Sequence, residues 1–295
     1  MTHSIPLYVW LTLLASVFHA FSFTYTKQFL AHSLNRQKLA FYSQYAVGFL
    51  ALLLLPFVDL EQLWAQFWLI LLMCGLVLLG QTSYLNAMRH GDASFVVPML
   101  GCKIFAVAGL SVVFFDQTYP PSVYLAGLGA FVSLFFLNDG KLHGSPLALF
   151  FVLLTCVFFA LADIIVVQVL KNGMGWLELA VFVFVVPAAL LMPLSPILFK
   201  NDWKVTKPFG KTLLVYALTH FIGLIILMYA FNLAQEATMI NIVQASRGFI
   251  AVGVVYVLAR FGFSQIEKLT RQQLISRLIG GLLMFGSLTV AITGV

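Results

Sequence analysis

The sequence predicts an all-α polytopic membrane protein with ten transmembrane helices, arranged as two inverted five-helix repeats. Of the 295 residues, 62% are hydrophobic and only 9% are charged, whereas soluble domains carry roughly 25% charged residues. The apolar residues form ten long runs, and the two halves share residues at a constant offset. This composition excludes a soluble globular domain and a disordered chain.

The first five helices are predicted from apolar runs that approach the roughly 20 residues needed to cross a bilayer. They cover residues 7–28, 38–57, 67–88, 94–115 and 121–137. Polar residues typical of loops separate them: Asn35-Arg36, Asp59 to Glu61, Arg89 to Asp92, Asp116 to Pro121, and Asn138 to Gly140. The runs are too uniformly apolar for barrel strands, in which polar and apolar residues alternate.

The second five helices follow from the same reasoning. They cover residues 146–170, 178–198, 211–233, 238–259 and 274–293. Their separators are Lys171 to Gly173, Lys200 to Lys211, Gln235-Glu236, and the stretch from Arg260 to Arg271. We therefore divide the chain into a first repeat, 1–144, and a second repeat, 145–295, which together form one structural unit.

The basic residues predict the orientation in the membrane. With flanks included, the loops after helices 1, 3, 5, 7 and 9 hold 13 of the 16 Lys and Arg residues, and the opposite side holds only Lys171. Because cytoplasmic loops are enriched in Lys and Arg, we expect both termini outside, in the periplasm if the membrane is a bacterial inner membrane. No basic run with interleaved aromatic residues suggests nucleic-acid binding.

An internal repeat appears when the first half is shifted by 144 residues. Lys27 then falls on Lys171, His19 on Asp163, and Lys103 on Arg247. Phe105 falls on Phe249, and Gly127 falls on Gly280 after about nine extra residues. Because each half has an odd number of helices, the second half must cross the membrane in the opposite direction, as in transporters with inverted repeats.

Three short motifs resemble those of the drug/metabolite transporter superfamily, in its EamA-like family. The stretch from His19 to Lys27 resembles Trp-Gly-x-x-Phe-x-x-x-Lys in the first helix, with His19 in the tryptophan place. The stretch from Asn86 to Ser94 resembles Ala-Leu-(Arg/Lys)-x-x-x-Ala-(Ser/Thr), and the stretch from Glu267 to Thr270 resembles Glu-(Arg/Lys)-Leu-(Ser/Thr). The resemblance implies ten helices in two halves and a transport function.

The chain also departs from that family. Asp116-Gln-Thr stands where the first half would carry the glutamate motif, and Ile104 and Gly248 replace prolines expected beside the intramembrane cations. Family members usually keep both termini in the cytoplasm, whereas the loop charges here predict the outside. The direction of transport is therefore not transferred from the family.

Two cations inside predicted helices are the first candidates for substrate binding. Lys103 and Arg247 each lie about nine residues into a helix, which is roughly 13 Å and near the middle of the apolar layer. Intramembrane charge is costly and usually faces a cavity or a partner. We expect Arg247 and Lys103 to attract an anionic group, with Asn241 and Gln244 on nearly the same face as Arg247. The alternative is a structural ion pair with Asp163.

Other polar residues complete the predicted site. Asp163 and His19 are candidates for proton coupling because both titrate, and either can instead make interhelical contacts. The remaining substrate-binding candidates are His19, Tyr45, Gln81 and His220, each of which can also be a packing or hydrogen-bonding residue.

The predicted function is secondary transport of a small organic metabolite, anionic or amphipathic, by alternating access. The partners are that substrate, the lipid bilayer and protons as a candidate coupling ion, and the chain is expected to be a monomer with no cofactor or metal. The sequence lacks P-loop, zinc-protease and hydrolase motifs, so we expect no enzyme. The alternative functions are a flippase for a phosphate-bearing lipid carrier and a membrane interaction protein without transport.

Overall fold

A computed structural model describes residues 5–31, 36–90, 96, 99–115, 118–137, 145–199, 203–247, 249–250, 253–254 and 270–293. Every secondary-structure element in this part of the chain is helical. The α-helices are α1 Leu7–Ala31, α2 Arg36–Leu52, α3 Leu60–Ala65, α4 Phe67–His90, α5 Lys103–Phe115, α6 Pro121–Leu137, α7 Pro146–Lys171, α8 Trp176–Leu191, α9 Ser195–Phe199, α10 Lys207–Ala234, α11 Ala237–Gln244 and α12 Arg271–Thr293. Short 3-10 helices occur at Leu55–Phe57, Leu100–Cys102 and Met192–Leu194.

Two of the long helices begin at clear sequence signals. The Ser145 hydroxyl accepts a hydrogen bond from the Ala148 amide at 3.0 Å, directly before Pro146. Thr206 caps α10 in the same way, with Pro208 in the first turn. A hydroxyl cap satisfies an amide that has no partner within the helix, and proline fits the first turn because it needs no such partner.

Within the described residues, four helical segments are long and apolar enough to cross a membrane, judged by length and composition. They are Phe67–His90, Pro146–Lys171, Trp176–Ile197 and Lys207–Ala234. Shorter apolar segments occupy Leu7–Ser22, Leu100–Phe114 and Pro121–Ser133. The prediction of an all-helical, multi-pass membrane protein is confirmed, while the number of ten spans stays a prediction.

The helices that carry the two intramembrane cations are interrupted, which differs from the predicted continuous helices 94–115 and 238–259. The 3-10 helix Leu100–Cys102 ends directly before Lys103, the first residue of α5. In the second half of the chain, α11 ends at Gln244, and two turn residues precede Arg247. Gly101 lowers helix propensity at the first break. At the second, the Ser246 hydroxyl donates to the Val243 carbonyl at 2.7 Å.

The ends of α2 and α8 also differ from the predicted spans 38–57 and 178–198. α2 ends at Leu52 and is followed by a 3-10 turn that contains Pro56. α8 ends at Leu191, and the 3-10 helix that follows it, Met192–Leu194, contains Pro193. Proline lacks the amide that would continue the helical hydrogen bonds, so regular α-helical bonding ends near both prolines.

The most extensive helix packing joins the first half of the chain to the second. α1 packs along α10, α4 along α7, and α6 along α12. α2 packs on α8 and α10, and α5 packs on α7 and α11. The interface between the halves is therefore the centre of the molecule, and it contains the candidate site.

Some residues of the predicted motifs lie outside the residues that the structure describes. This applies to residues 91–94 and 267–269, and to the side chain of Lys27. Predictions that depend on them stay predictions.

Candidate functional site

A central cavity lies between the two halves and has a volume of about 840 Å³ when its open mouth is included. Side chains from α1, α2, α4, α5, α7, α8 and α10 line it, together with Gln244 and Arg247. The polar lining residues are His19, Gln44, Gln81, Lys103, Asp163, His220, Gln244 and Arg247.

An ion pair occupies the polar end of this cavity. The Lys103 Nζ lies 2.8 Å from Asp163 Oδ2, and both side chains are largely buried, at 13% and 16% exposure. Lys103 also donates to Gln244 Oε1 at 3.3 Å. Asn241 Nδ2 donates to the same Asp163 oxygen at 2.7 Å and to the Ala237 carbonyl at 2.9 Å. Charge-assisted bonds of this kind hold both charges in a fixed position.

Arg247 brings a second cation to the cavity. It follows the break after α11 and lines the cavity together with Gln244. Asp163 acts on Arg247 electrostatically. Two cations that come from different halves therefore lie in the field of one carboxylate, which is paired with Lys103.

Two histidines form another part of the wall. The rings of His19 and His220 have centroids 5.4 Å apart. Tyr216 stacks on His220 at 5.4 Å with an interplanar angle of 12°, and the Phe184 ring lies 6.2 Å away. His19 is buried at 3% exposure, so this wall combines imidazole and aromatic surface.

The structure brings most of the predicted site residues together. Seven of them line the cavity: Arg247, Lys103, Gln244, Gln81, His19, His220 and Asp163. Asn241 supports the cavity through its bond to Asp163. Tyr45 lies elsewhere, with its ring 4.3 Å from that of Phe41. Their roles in binding or proton transfer stay predictions.

The apolar wall was not anticipated from the sequence. It contains Met73, Val77, Phe159, Ala162, Val166, Val183, Phe184, Leu224, Leu227 and Met228. A signal was present, because Met73 and Val77 precede Gln81 at intervals of four residues, and Leu224 and Met228 follow His220 in the same way. Residues four apart lie on one helix face, so an apolar residue one turn from a polar candidate marks the same wall.

The two halves contact each other at two further places, which differ in the chemistry of their side chains. At the start of α2, an aromatic cluster joins Phe41, Tyr42, Phe199, Trp203 and Phe209. Within this aromatic cluster, the ring centroids of Phe199 and Trp203 are 4.5 Å apart, and the Tyr42 hydroxyl donates to the Trp203 carbonyl at 2.7 Å.

Beyond the opposite ends of α2 and α8, polar side chains join the halves. The Gly175 amide donates to Gln62 Oε1 at 2.9 Å, and Gln66 Nε2 donates to the Val169 carbonyl at 3.3 Å. Asn172 Nδ2 donates to Gln66 Oε1 at 3.2 Å. We call this group, formed by Gln62, Gln66, Val169, Asn172 and Gly175, the amide clamp.

A second, more open cavity lies beside the connection between α10 and α11, with a volume of about 800 Å³ when its open side is included. Its lining includes Lys171, Gln235 and Glu236, and Gln235 adopts a left-handed conformation with φ 51°. Burial raises the pKa of Glu236, and the nearby Lys171 opposes this shift. The Tyr119 hydroxyl lies 2.6 Å from Thr238 Oγ1 at the same place.

Residues 6–139 match the model of the EamA-like transporter family, which is part of the drug/metabolite transporter superfamily. The match confirms the resemblance over the first half, which contains the motifs from His19 to Lys27 and from Asn86 to Ser94. Members of this family are membrane transporters rather than enzymes, in agreement with the expected function at that level. No curated protein matches the chain.

The fold is shared by known structures. One solved structure, described only as "Crystal structure of protein", aligns with 98% of this chain and 99% of its own, with a TM-score of 0.71 and 14% identity. In all, 28 chains of solved structures match. At this identity the likeness shows the fold alone, and it extends over nearly the whole chain.

Proposed function

We propose, from the match of residues 6–139 to the EamA-like transporter family, that this chain is a secondary transporter of a small organic, anionic or amphipathic metabolite. The observation that carries the proposal is the central cavity, where Lys103, Asp163 and Arg247 line a space between the halves. Charges inside an apolar layer are costly unless they serve a cavity or a partner. Two cations for one carboxylate favour an anionic group of the substrate.

An inverted repeat is the architecture that we propose for this transporter. The offset of 144 residues relates α1 to α7 and α4 to α10, so the packing of α1 on α10 is equivalent to that of α4 on α7. α4 ends at His90 and α10 at Ala234, which is 144 residues later. The helix breaks before Lys103 and Arg247 agree with the same offset.

The contact between phenylalanine and glycine supports the repeat further. A Cβ at Gly127 would meet the Phe105 ring, and a Cβ at Gly281 would meet the Phe249 ring. The second contact falls on Gly281, one residue beyond the glycine that the sequence alignment paired with Gly127. Both contacts place a ring over the glycine of the following helix.

Alternating access is supported by the two kinds of contact between the halves. The aromatic cluster and the amide clamp lie toward opposite ends of α2 and α8 and each joins the first half to the second. Opening one while the other stays closed would expose the cavity to one side at a time. Since both halves that surround the cavity belong to one chain, we propose a monomer as the functional unit.

The decisive experiment is transport by the purified protein in proteoliposomes, with a metabolite library and with a phosphate-bearing lipid carrier. Uptake of a soluble anionic metabolite supports the proposal, and movement of the lipid alone would support the flippase instead. Repeating the assay with and without a pH gradient tests proton coupling through Asp163 or His19. Uptake that is equal in both conditions would exclude a proton-driven mechanism.

We also propose that both termini lie outside, in the periplasm of a bacterial inner membrane. The distribution of basic residues supports this orientation, because 13 lie on one side and one on the other. Val295→Cys, in a variant that lacks the native cysteines, should react with a membrane-impermeant thiol reagent in intact cells. Labelling only after the membrane is opened would contradict the orientation.

A further inference from the structure

We infer that the central cavity selects an organic monoanion with an apolar body, in preference to a zwitterion or a dianion. This inference rests on the proposed transport function and narrows the substrate class of the same cavity. It follows from the number of charges in the lining, from the contacts of Asp163, and from the apolar wall.

The charge of the lining is the first step. Among the described residues that line the cavity, Lys103 and Arg247 are positive and Asp163 is negative. With both histidines neutral, the lining carries one net positive charge. A ligand with a single negative charge neutralises this net charge, whereas a second negative charge on the ligand would enter a low-dielectric space without a compensating cation.

The contacts of Asp163 disfavour a zwitterion. A substrate ammonium group needs a carboxylate, and Asp163 is the acidic residue among the described lining residues. Its Oδ2 already accepts bonds from Lys103 at 2.8 Å and from Asn241 at 2.7 Å. An entering ammonium group would have to share Asp163 with Lys103, and it would bring a third cation into a space whose described lining holds one carboxylate, which is costly inside the protein.

The rest of the wall suits an apolar body. Met73, Val77, Phe159 and Leu224 lie on three helices around the cavity. When an apolar part of the ligand packs against this wall, both apolar surfaces are removed from water. Their burial stabilises the complex in proportion to the buried area. A cavity with a charged end and an apolar wall therefore fits a ligand that carries a carboxylate on a hydrocarbon or aromatic group.

Five compounds that share one scaffold test the inference in proteoliposomes: 3-phenylpropanoate, its amide, phenylalanine, phenylsuccinate and phenethyl phosphate. We expect uptake of 3-phenylpropanoate to exceed that of each other compound at least about tenfold, which corresponds to the free energy of one charged hydrogen bond.

Equal or faster uptake of phenylalanine, phenylsuccinate or phenethyl phosphate would overturn the inference and leave the transport function standing. If none of the five moves, the substrate found in the metabolite library decides: a monoanion supports the inference, and a zwitterion or dianion overturns it. If the library also gives no uptake, the transport function itself fails.

Variants that change the charge of the lining sharpen this test. Asp163→Asn adds one positive charge, so the preference should move from 3-phenylpropanoate to phenylsuccinate. The double variant Lys103→Gln with Asp163→Asn returns the lining to one positive charge and should restore the preference for the monoanion. It also removes both members of the ion pair, so it tests the inference even if Asp163→Asn alone fails to fold. Arg247→Gln leaves no excess charge and should abolish the preference for 3-phenylpropanoate over its amide. Preferences that do not follow the number of charges would overturn the inference.

Discussion

At the scale of single residues, Arg247 has the clearest expected role. It lines the cavity directly after a helix break, and it provides the excess positive charge. We expect Arg247→Ala to reduce transport at least about tenfold, and Arg247→Lys to retain part of it because the charge is kept. Initial uptake rates in proteoliposomes measure both. Lys211→Ala, at an exposed position at the start of α10, is the control, and full transport by Arg247→Ala would contradict a role in substrate binding.

The charged residues of the site were predictable, but their pairing was not. Lys103, Asp163 and Arg247 are conspicuous in apolar helices because charge there is rare. Which cation contacts Asp163 depends on helix rotation and depth, which the sequence pattern does not define. Gln44 and Tyr45 illustrate this limit. They are neighbours in α2 and point about 100° apart, and Gln44 lines the cavity while Tyr45 packs on Phe41.

At the scale of helices, close packing between α2 and α8 depends on Gly48. A Cβ at Gly48 would lie 2.8 Å from the Ala188 Cβ and 3.2 Å from the Phe184 carbonyl oxygen. We expect Gly48→Ala to lower the free energy of unfolding by about 1–3 kcal/mol because the helices must move apart. Thermal unfolding of the detergent-purified protein measures this change.

Gly75 provides the matched control for that substitution. It lies within α4, and a Cβ there would meet nothing within 4 Å. Gly75→Ala should therefore raise the melting temperature slightly, since alanine restricts the unfolded chain and favours a helix by about 0.5–1 kcal/mol. Equal effects of the two substitutions would show that the α2–α8 contact is not tight.

Glu236, at the start of α11, should make stability depend on pH. Burial raises its pKa above the ordinary value of 4.5, and Lys171 opposes part of the shift. The folded state therefore holds a proton more tightly than the unfolded state, so stability falls as the pH rises from the unfolded pKa through the folded one. Glu236→Gln should raise the melting temperature at pH 8 and leave it nearly unchanged at pH 4.

Glu61→Gln is the control for this pH effect, because Glu61 is exposed in the short helix α3. Its melting temperature should follow the wild-type curve at both pH values. If the melting temperature of Glu236→Gln also follows the wild-type curve, the ionised carboxylate at position 236 does not destabilise the folded state.

The helices themselves were largely predictable, and their interruptions were not. Long apolar runs indicate helices because a lipid layer requires internal hydrogen bonding. The breaks before Lys103 and Arg247 lie inside such runs, where Gly101 or Ser246 is a weak signal and tertiary contacts decide the outcome. Asp59 caps the short helix α3, and its side chain accepts a hydrogen bond from the Glu61 amide at 2.9 Å. A local cap of this kind does not appear in a hydropathy pattern.

At the scale of the whole molecule, the alternating access that we propose requires both contacts between the halves to open in turn. In a variant without the native cysteines Cys74, Cys102 and Cys156, cysteines at Gln62 and Gly175 would allow a cleavable cross-linker to hold the amide clamp closed. Cysteines at Tyr42 and Trp203 would do the same for the aromatic cluster. We expect each cross-link to stop uptake and its cleavage to restore uptake.

Single-cysteine variants treated with the same reagent are the controls for this experiment and should retain uptake. If uptake continues with either end held closed, the cavity is reached by another route and alternating access between these two ends is wrong.

The all-helical, multi-pass membrane architecture was predictable because composition and the long apolar runs agree, while the ten spans and the inverted repeat stay predictions. Composition indicates the membrane, and the motifs from His19 to Lys27 and from Asn86 to Ser94 indicate the family. The sequence does not specify how the halves meet, since contacts such as Gln62 with Gly175 join residues more than 100 positions apart.

The unlike chemistry of the two ends has a thermal consequence. Separating Phe199 from Trp203 exposes apolar surface and therefore has a positive heat capacity, whereas releasing the bonds of Gln62 and Gln66 exposes polar groups, for which the heat capacity has the opposite sign. Apolar association weakens on cooling. We expect cold to shift the resting population toward the conformation in which the aromatic end is open, so that the face presented to substrate depends on the temperature at which the cell grows.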